Sequence, residues 1–311
     1  MDDRQPLLIL AGPTAVGKTR LSIELARRLN GEIISGDSMQ VYRGMDIGTA
    51  KIRRSEMGGI PHHLLDICDP WDEWNVMLFV KRAKEAIEQI RSRGRLPMVV
   101  GGTGFYLHAL AYDTQFTEEH TDGELRRELE RQARELGADG LHRRLAEADP
   151  DSAAAIHMNN VKRVIRALEY YLETGEPISA HNRRERQKPT PYRLCYLVLS
   201  MERGQLYRRI DERVDAMMEQ GLEAEVRRLL SLGCERGMAS MQGLGYKELI
   251  DYLEGRVTKD EAIYRLKRDT RHFAKRQLTW FRAERDAVWL EAGSAERKSL
   301  FEAALEIGRR I

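Results

Sequence analysis

The chain has 311 residues, a length that suits two ordinary domains or one large domain carrying an insertion. Charged residues make up 32% and the hydrophobic set 42%, which excludes a disordered chain, and no run of about 18 apolar residues exists to span a membrane. The net charge of +2 names no partner by itself.

The N-terminus, MDDRQPLLILAGPT, holds two acids and a short apolar run before Gly12, too short and wrongly charged for a signal peptide. Cys68, Cys195 and Cys234 lie far apart, so neither a zinc knuckle nor a disulfide framework is expected, and a reducing, cytoplasmic setting fits. Leu7–Ala11 reads as a buried strand. Residues 18–29 follow as an amphipathic helix with Leu21, Leu25 and Leu29 on one face. A second strand runs over 32–35. A helix over 76–93 turns Leu78, Ala83, Ala86, Ile87 and Ile90 inward, and Leu96–Val100 is a third strand ending at Gly101-Gly102. This alternation predicts an α/β fold, a P-loop NTPase-like parallel sheet flanked by helices.

From about Asp113 the pattern is helical, with helices expected over 123–136, 140–148 and 159–174. The segment ends in His181–Lys188, four basic residues against one acid. Residues 113–189 are therefore read as an inserted all-helical domain, and residues 1–112 and 190–311 as the core. A strand at 194–200 resumes the core. Helices over 206–220, 223–232, 246–254 and about 259–285 follow, then a short strand at 288–291.

Gly12-Pro13-Thr14-Ala15-Val16-Gly17-Lys18-Thr19 matches the phosphate-binding pattern G-x-x-x-x-G-K-[ST], directly after a strand and opening a helix. Its backbone N–H groups would cradle a di- or triphosphate, with Lys18 reaching phosphate oxygens and the Thr19 hydroxyl ligating Mg²⁺. The third strand ends in Gly101-Gly102-Thr103-Gly104, without the acid that an NTPase places there. The second strand does end in an acid, Asp37, which should face the cradle across the strand ends. A kinase acting on a nucleotide or small metabolite, with Asp37 as base, fits these features. A nucleotide-binding regulator would leave Asp37 without a purpose.

Taken together, Gly12–Thr19, Asp37-Ser38-Met39-Gln40-Val41-Tyr42, Asp46–Lys51, Pro61–Asp66, Gly101–Tyr106, Arg163–Glu169, Gly243–Lys247 and Lys275–Arg282 resemble the tRNA dimethylallyltransferases over nearly the whole chain. Ile52 departs from the proline common there. The chain lacks the zinc-finger extension of many eukaryotic members and so resembles the bacterial type. The resemblance implies transfer of a dimethylallyl group from dimethylallyl diphosphate to N6 of the adenosine 3′ of the anticodon. It implies a donor site at Gly12–Thr19 with Mg²⁺ on Thr19, and a diphosphate-binding arginine at Arg209, which shares a helix face with Arg213. Asp37 would take the N6 proton and Thr103 would contact the target nucleotide or the diphosphate. tRNA contacts would come from Asp37, Ser38, Met39, Gln40, Thr103, Arg163, Arg166, Gly245, Lys247, Lys275 and Arg276, with the insertion gripping the anticodon stem-loop. Phe273, Trp280 and Phe281 fall in the apolar stripe of the last long helix and are expected in the core. His62-His63 is not expected to hold a metal. A monomer is expected.

Overall fold

Strands that are apolar on both faces need helices on both sides, and this requirement organises the molecule. The computed structural model describes residues 4–116, 123–293 and 297–311. Its sheet comprises β1 (Gln5–Ala11), β2 (Gly31–Ser35), β3 (His62–His63), β4 (Leu96–Gly101), β5 (Tyr192–Ser200) and β6 (Ala287–Glu291). All pairings are parallel, in the order β3-β2-β4-β1-β5-β6. β1 lies inside the sheet, and Leu7 to Ala11 are fully buried. Ser35 pairs with Val100 and Ala11 with Gly101, so the C-terminal ends of β2, β4 and β1 stand side by side.

Helices α1 (Lys18–Arg28), α2 (Val76–Ser92) and α3 (Gly104–Ala111) connect the first strands. In α2, Phe79 and Val80 take core positions together with Ala83, Ala86, Ile87 and Ile90, whereas Leu78 stays half-buried. After β5 come α8 (Arg203–Glu219), α9 (Leu222–Ser231), α10 (Tyr246–Leu253), α11 (Lys259–Phe281) and, beyond β6, α12 (Arg297–Gly308), counting α4 to α7 in the insertion. Leu21 and Leu25 of α1, Leu206 and Ile210 of α8, and Ala304 and Leu305 of α12 share one core with the sheet. A second core joins Val214, Val226, Leu229, Tyr246, Leu249 and Leu266. Arg271 donates to Asp211 at 2.6 and 2.8 Å and ties α11 to α8.

The chain divides into two compact units, residues 1–113 with 190–311 and residues 114–189. The second contains α4 (Glu124–Ala148), α5 (Pro150–Ala155), α6 (Val161–Thr174) and α7 (Ile178–Gln187) around Leu129, Leu141, Leu145, Val164 and Leu168. The two helices expected over 123–148 are one span, interrupted where Gly137 adopts φ 70°. Helices α3, α5, α7 and α12 and the two-residue strand β3 were not expected from the sequence. In α7 the basic run 181–188 is partly neutralised: Arg183 pairs with Asp151, Arg184 with Glu176 and Lys188 with Glu185.

Candidate active site

The three adjacent strand ends deliver three loops to one place, the position where open parallel sheets bind ligands. From β1 comes the loop 12–19, from β2 the segment 36–40, and from β4 the turn 101–104. Between them lies a cavity of about 540 Å³, lined among others by Lys18, Thr19, Asp37, Thr103, Arg213 and Lys247.

Gly12 has φ 146°, and a Cβ there would lie 2.8 Å from the Leu199 carbonyl oxygen, so the loop leaves β1 in a path closed to other residues. Gly17 precedes α1 in a left-handed conformation, and no side chain caps the helix. The first-turn N–H groups of α1 have no intrahelical acceptor. Lys18 Nζ donates to the carbonyls of Gly12 at 2.9 Å and Pro13 at 2.8 Å. Burial and the neighbouring Arg213 guanidinium, only partly opposed by Asp37, pull Lys18 down to about 7. Arg213 donates to Thr14 Oγ1 at 3.3 Å. It too is lowered, by burial and then by Arg209, against the pull of Asp37. Three cations thus crowd one carboxylate, and an anion placed among them would relieve the repulsion.

Asp37 Oδ1 accepts from the backbone N–H of Met39 at 2.8 Å and of Gln40 at 3.4 Å, a tight turn that holds the carboxylate at the strand end. Ser38 N–H donates to Thr103 Oγ1 at 3.1 Å, which locks this turn to the one after β4. Gln40 donates through Nε2 to the Thr49 carbonyl at 3.2 Å.

Of the residues expected in the site, Thr14, Ala15, Gly17, Lys18, Thr19, Asp37, Ser38, Met39, Gln40, Thr103, Lys247 and Arg276 line the cavity. Gly12, Pro13 and Val16 are buried behind the loop. Arg209 is exposed on α8; its Nη1 stands 4.0 Å from where a Gly17 Cβ would be and 3.9 Å from Met201 Sδ. Gly245 is buried at the start of α10, with its N–H held by Glu248 at 2.8 Å. Lys275 is exposed on α11. In the second unit Arg163 is exposed and Arg166 donates to Glu169 at 3.2 Å. Phe281 is fully buried, but Trp280 is 38% exposed, a departure from the expected core position. His62 and His63 bond Ile60 and Glu32, consistent with edge-strand packing.

Gln277 and Glu225 escape a reading of the sequence, which names Arg213 only for the helix face it shares with Arg209. Arg213 lines the cavity, whereas Arg209 stands beside the loop. Gln277, buried in α11, accepts from Thr14 N–H at 3.0 Å and donates to the Gly102 carbonyl at 2.8 Å, bracing the phosphate loop against the β4 turn. Glu225, buried in α9, accepts from three successive N–H groups, Asp46, Ile47 and Gly48, at 2.8–3.1 Å and from Tyr246 Oη at 2.7 Å. It thereby holds the loop whose Thr49 carbonyl orients Gln40. Lys51, its amine bonded to Asp46, Asp66 and the Tyr42 carbonyl, latches the other end of that loop.

Thr19 is exposed, lines the cavity on the first turn of α1, and its hydroxyl makes no hydrogen bond among the described residues. Asp37 lines the same cavity, and only its Oδ1 accepts hydrogen bonds among the described residues. Among the described residues no group of three His, Cys, Asp or Glu could hold a metal ion alone. A hydroxyl and one carboxylate suit Mg²⁺, which keeps several waters and binds largely through substrate phosphates. The residues present therefore fit that ion.

An α/β sheet with a phosphate-loop sequence, a facing carboxylate and no acid on β4 defines a P-loop enzyme fold without the usual NTPase metal acid. The family profile described as IPP transferase matches residues 40–284, and that described as isopentenyl transferase matches residues 5–67. A tRNA dimethylallyltransferase of Lachnoclostridium phytofermentans is 57% identical over 92% of this chain and 91% of its own length. The full-length tRNA isopentenylpyrophosphate transferase of Bacillus halodurans superposes with a TM-score of 0.74 at 46% identity, covering 99% of both chains. A eukaryotic dimethylallyltransferase captured acting on tRNA gives 0.81 at 31% identity, over 97% of this chain and 78% of that one. The chain belongs to the tRNA dimethylallyltransferase family.

Proposed function

We propose that the protein transfers the dimethylallyl group of dimethylallyl diphosphate to N6 of the adenosine 3′-adjacent to the anticodon, releasing diphosphate. The observation that carries this reading is the crowding of Lys18, Arg213 and Arg209 about the phosphate loop, opposite one carboxylate. Charge develops on the diphosphate as the allylic C–O bond breaks, and fixed cations beside it stabilise that transition state. The remaining loop N–H groups, Lys18, Arg213 and Arg209 receive the leaving group. Thr19 and the donor phosphates would hold Mg²⁺, which would supply further charge neutralisation. N6 attacks the allylic carbon, and its proton passes to Asp37. Ser38, Met39, Gln40 and Thr103 surround the adenine, which must leave the anticodon stack to enter. The test is incubation with Mg²⁺, labelled dimethylallyl diphosphate and total tRNA. Label becomes acid-precipitable if the reading holds. ATP-dependent phosphorylation of a metabolite, without that incorporation, would replace it with the kinase reading.

The lowered Lys18 has a consequence for pH. A bound diphosphate favours the ammonium and raises its pKa, so in the window above about 7 binding draws a proton onto Lys18 and affinity falls as pH rises. Below that window Lys18 is already charged and the linkage vanishes. Calorimetry of inorganic diphosphate binding at about pH 8.5, in two buffers of different ionisation enthalpy, reads the uptake. The wild type should take up more protons than Lys18→Arg, which is charged throughout. Equal uptake would contradict the assignment.

The tRNA reading rests on unpaired cations. On α11, Arg265, Lys267, Arg268 and Arg271 are each engaged by a carboxylate. Lys275, Arg276 and Arg282 are exposed and make no ion pair among the described residues. Each phosphate contact contributes about 0.7 to 0.9 to the log–log slope of affinity against salt. Lys275→Ala and Arg276→Ala should each lower the slope by about one contact and leave diphosphate affinity unchanged. Slopes equal to wild type would remove both residues from the tRNA interface.

A further inference from the structure

Trp280 lies outside everything assigned so far. It is 38% exposed near the end of α11, and Phe105, in the first turn of α3, is 44% exposed. The two rings meet edge to face, with centroids 5.9 Å apart and planes at 72°. Gly104 separates Phe105 from Thr103, and a Cβ on it would stand 2.2 Å from the indole Cδ1. The indole therefore packs against the backbone of the turn that carries Thr103. Along α11, Phe273, Arg276 and Trp280 follow at i, i+3 and i+7, which places them on one face. The first two line the cavity, so Trp280 continues that face away from it. Lys275, Arg276 and Arg282, the cations of this helix without a carboxylate partner among the described residues, surround the indole in sequence.

An exposed aromatic pair among unpaired cations is poorly suited to an apolar protein partner. It matches the combination by which proteins hold unpaired nucleic acid: cations for the backbone and an aromatic face for a base. Drawing one base out of the stack also strips its neighbour of a stacking partner. An aromatic ring near the turn that meets the flipped base can replace it. We propose that Trp280, supported by Phe105, is a stacking platform for an unpaired nucleobase next to the target adenine. This inference rests on the tRNA reading above.

The test uses the whole chain and anticodon stem-loop RNAs that each carry one iodouridine in the loop. Long-wavelength irradiation should cross-link one loop position to the peptide containing Trp280 or Phe105. Trp280→Leu should weaken stem-loop binding by roughly 5- to 150-fold, the range for losing one base–aromatic stack. Trp280→Phe should restore binding to within a few-fold, and inorganic diphosphate affinity should stay at the wild-type value in both. Cross-links confined to other peptides, with Trp280→Leu binding RNA as tightly as wild type, would overturn the platform while leaving the tRNA reading intact. Failure of the wild type itself to bind stem-loop RNA would overturn both. Should Trp280→Leu not fold, the wild-type cross-link and the Trp280→Phe affinity decide the matter alone.

Discussion

Asp37→Asn should lower the single-turnover rate by roughly 10²–10⁴-fold, the usual contribution of a positioned general base, and leave tRNA affinity within a few-fold of wild type. The geometry makes this substitution a clean separation of chemistry from structure. Asp37 Oδ1 accepts the N–H groups of Met39 and Gln40, and an amide oxygen accepts them equally well. The turn should therefore survive, with Ser38 still bonded to Thr103. What is lost is the ability to take a proton from N6. Single-turnover rates near wild type in this variant, with saturating donor and tRNA, would show that the proton goes elsewhere.

Excising the helical unit should have the second large effect. Replacing residues 114–189 by a short Gly-Ser bridge should abolish tRNA binding while diphosphate binding stays within a few-fold of wild type. The ends to be joined are neighbours: Thr190 Oγ1 donates to the Ala111 carbonyl at 2.6 Å, within the core unit. The excised segment has its own hydrophobic cluster, and none of its described residues lines the cavity. Its arginines, Arg163 among them, are what we assign to the anticodon stem-loop. Loss of diphosphate binding from a truncated chain that keeps its cooperative unfolding transition would contradict this division of labour.

The parts of the fold visible in the sequence are those with a local signal. Leu7–Ala11 is apolar throughout because β1 is covered on both faces, and the phosphate loop follows it at once. β3 escapes because two residues have no period, and α3 because all but Phe105 and His108 of its eight residues are buried, leaving little amphipathic contrast. The reading of α12 is a different case: Leu300, Phe301, Ala304 and Leu305 do repeat at helical spacing, and all four contribute to the core. Trp280 misleads because helical spacing assigns it to an apolar stripe wider than the face α11 buries. Among site residues, Asp37 and Thr103 follow from their places at strand ends. Gln277 and Glu225 do not, because their partners lie 263 and about 178 positions away and only the closed fold brings them together. Arg213 and Arg209 are equivalent on a helical wheel. What separates them is the neighbouring loop: Arg213 reaches Thr14, and Arg209 remains at the surface.

We propose that this cavity joins a diphosphate donor to the exocyclic amine of one adenine. The measurement is to react the protein with Mg²⁺, dimethylallyl diphosphate and a single purified tRNA that carries an unmodified adenosine 3′ of its anticodon. The tRNA is then digested and its nucleosides sequenced by mass spectrometry, with released diphosphate counted in parallel. One dimethylallyl group is expected on N6 of the adenosine 3′ of the anticodon, with one diphosphate freed per group transferred. Prenylation at another nucleoside, or diphosphate release without a modified tRNA, would contradict it.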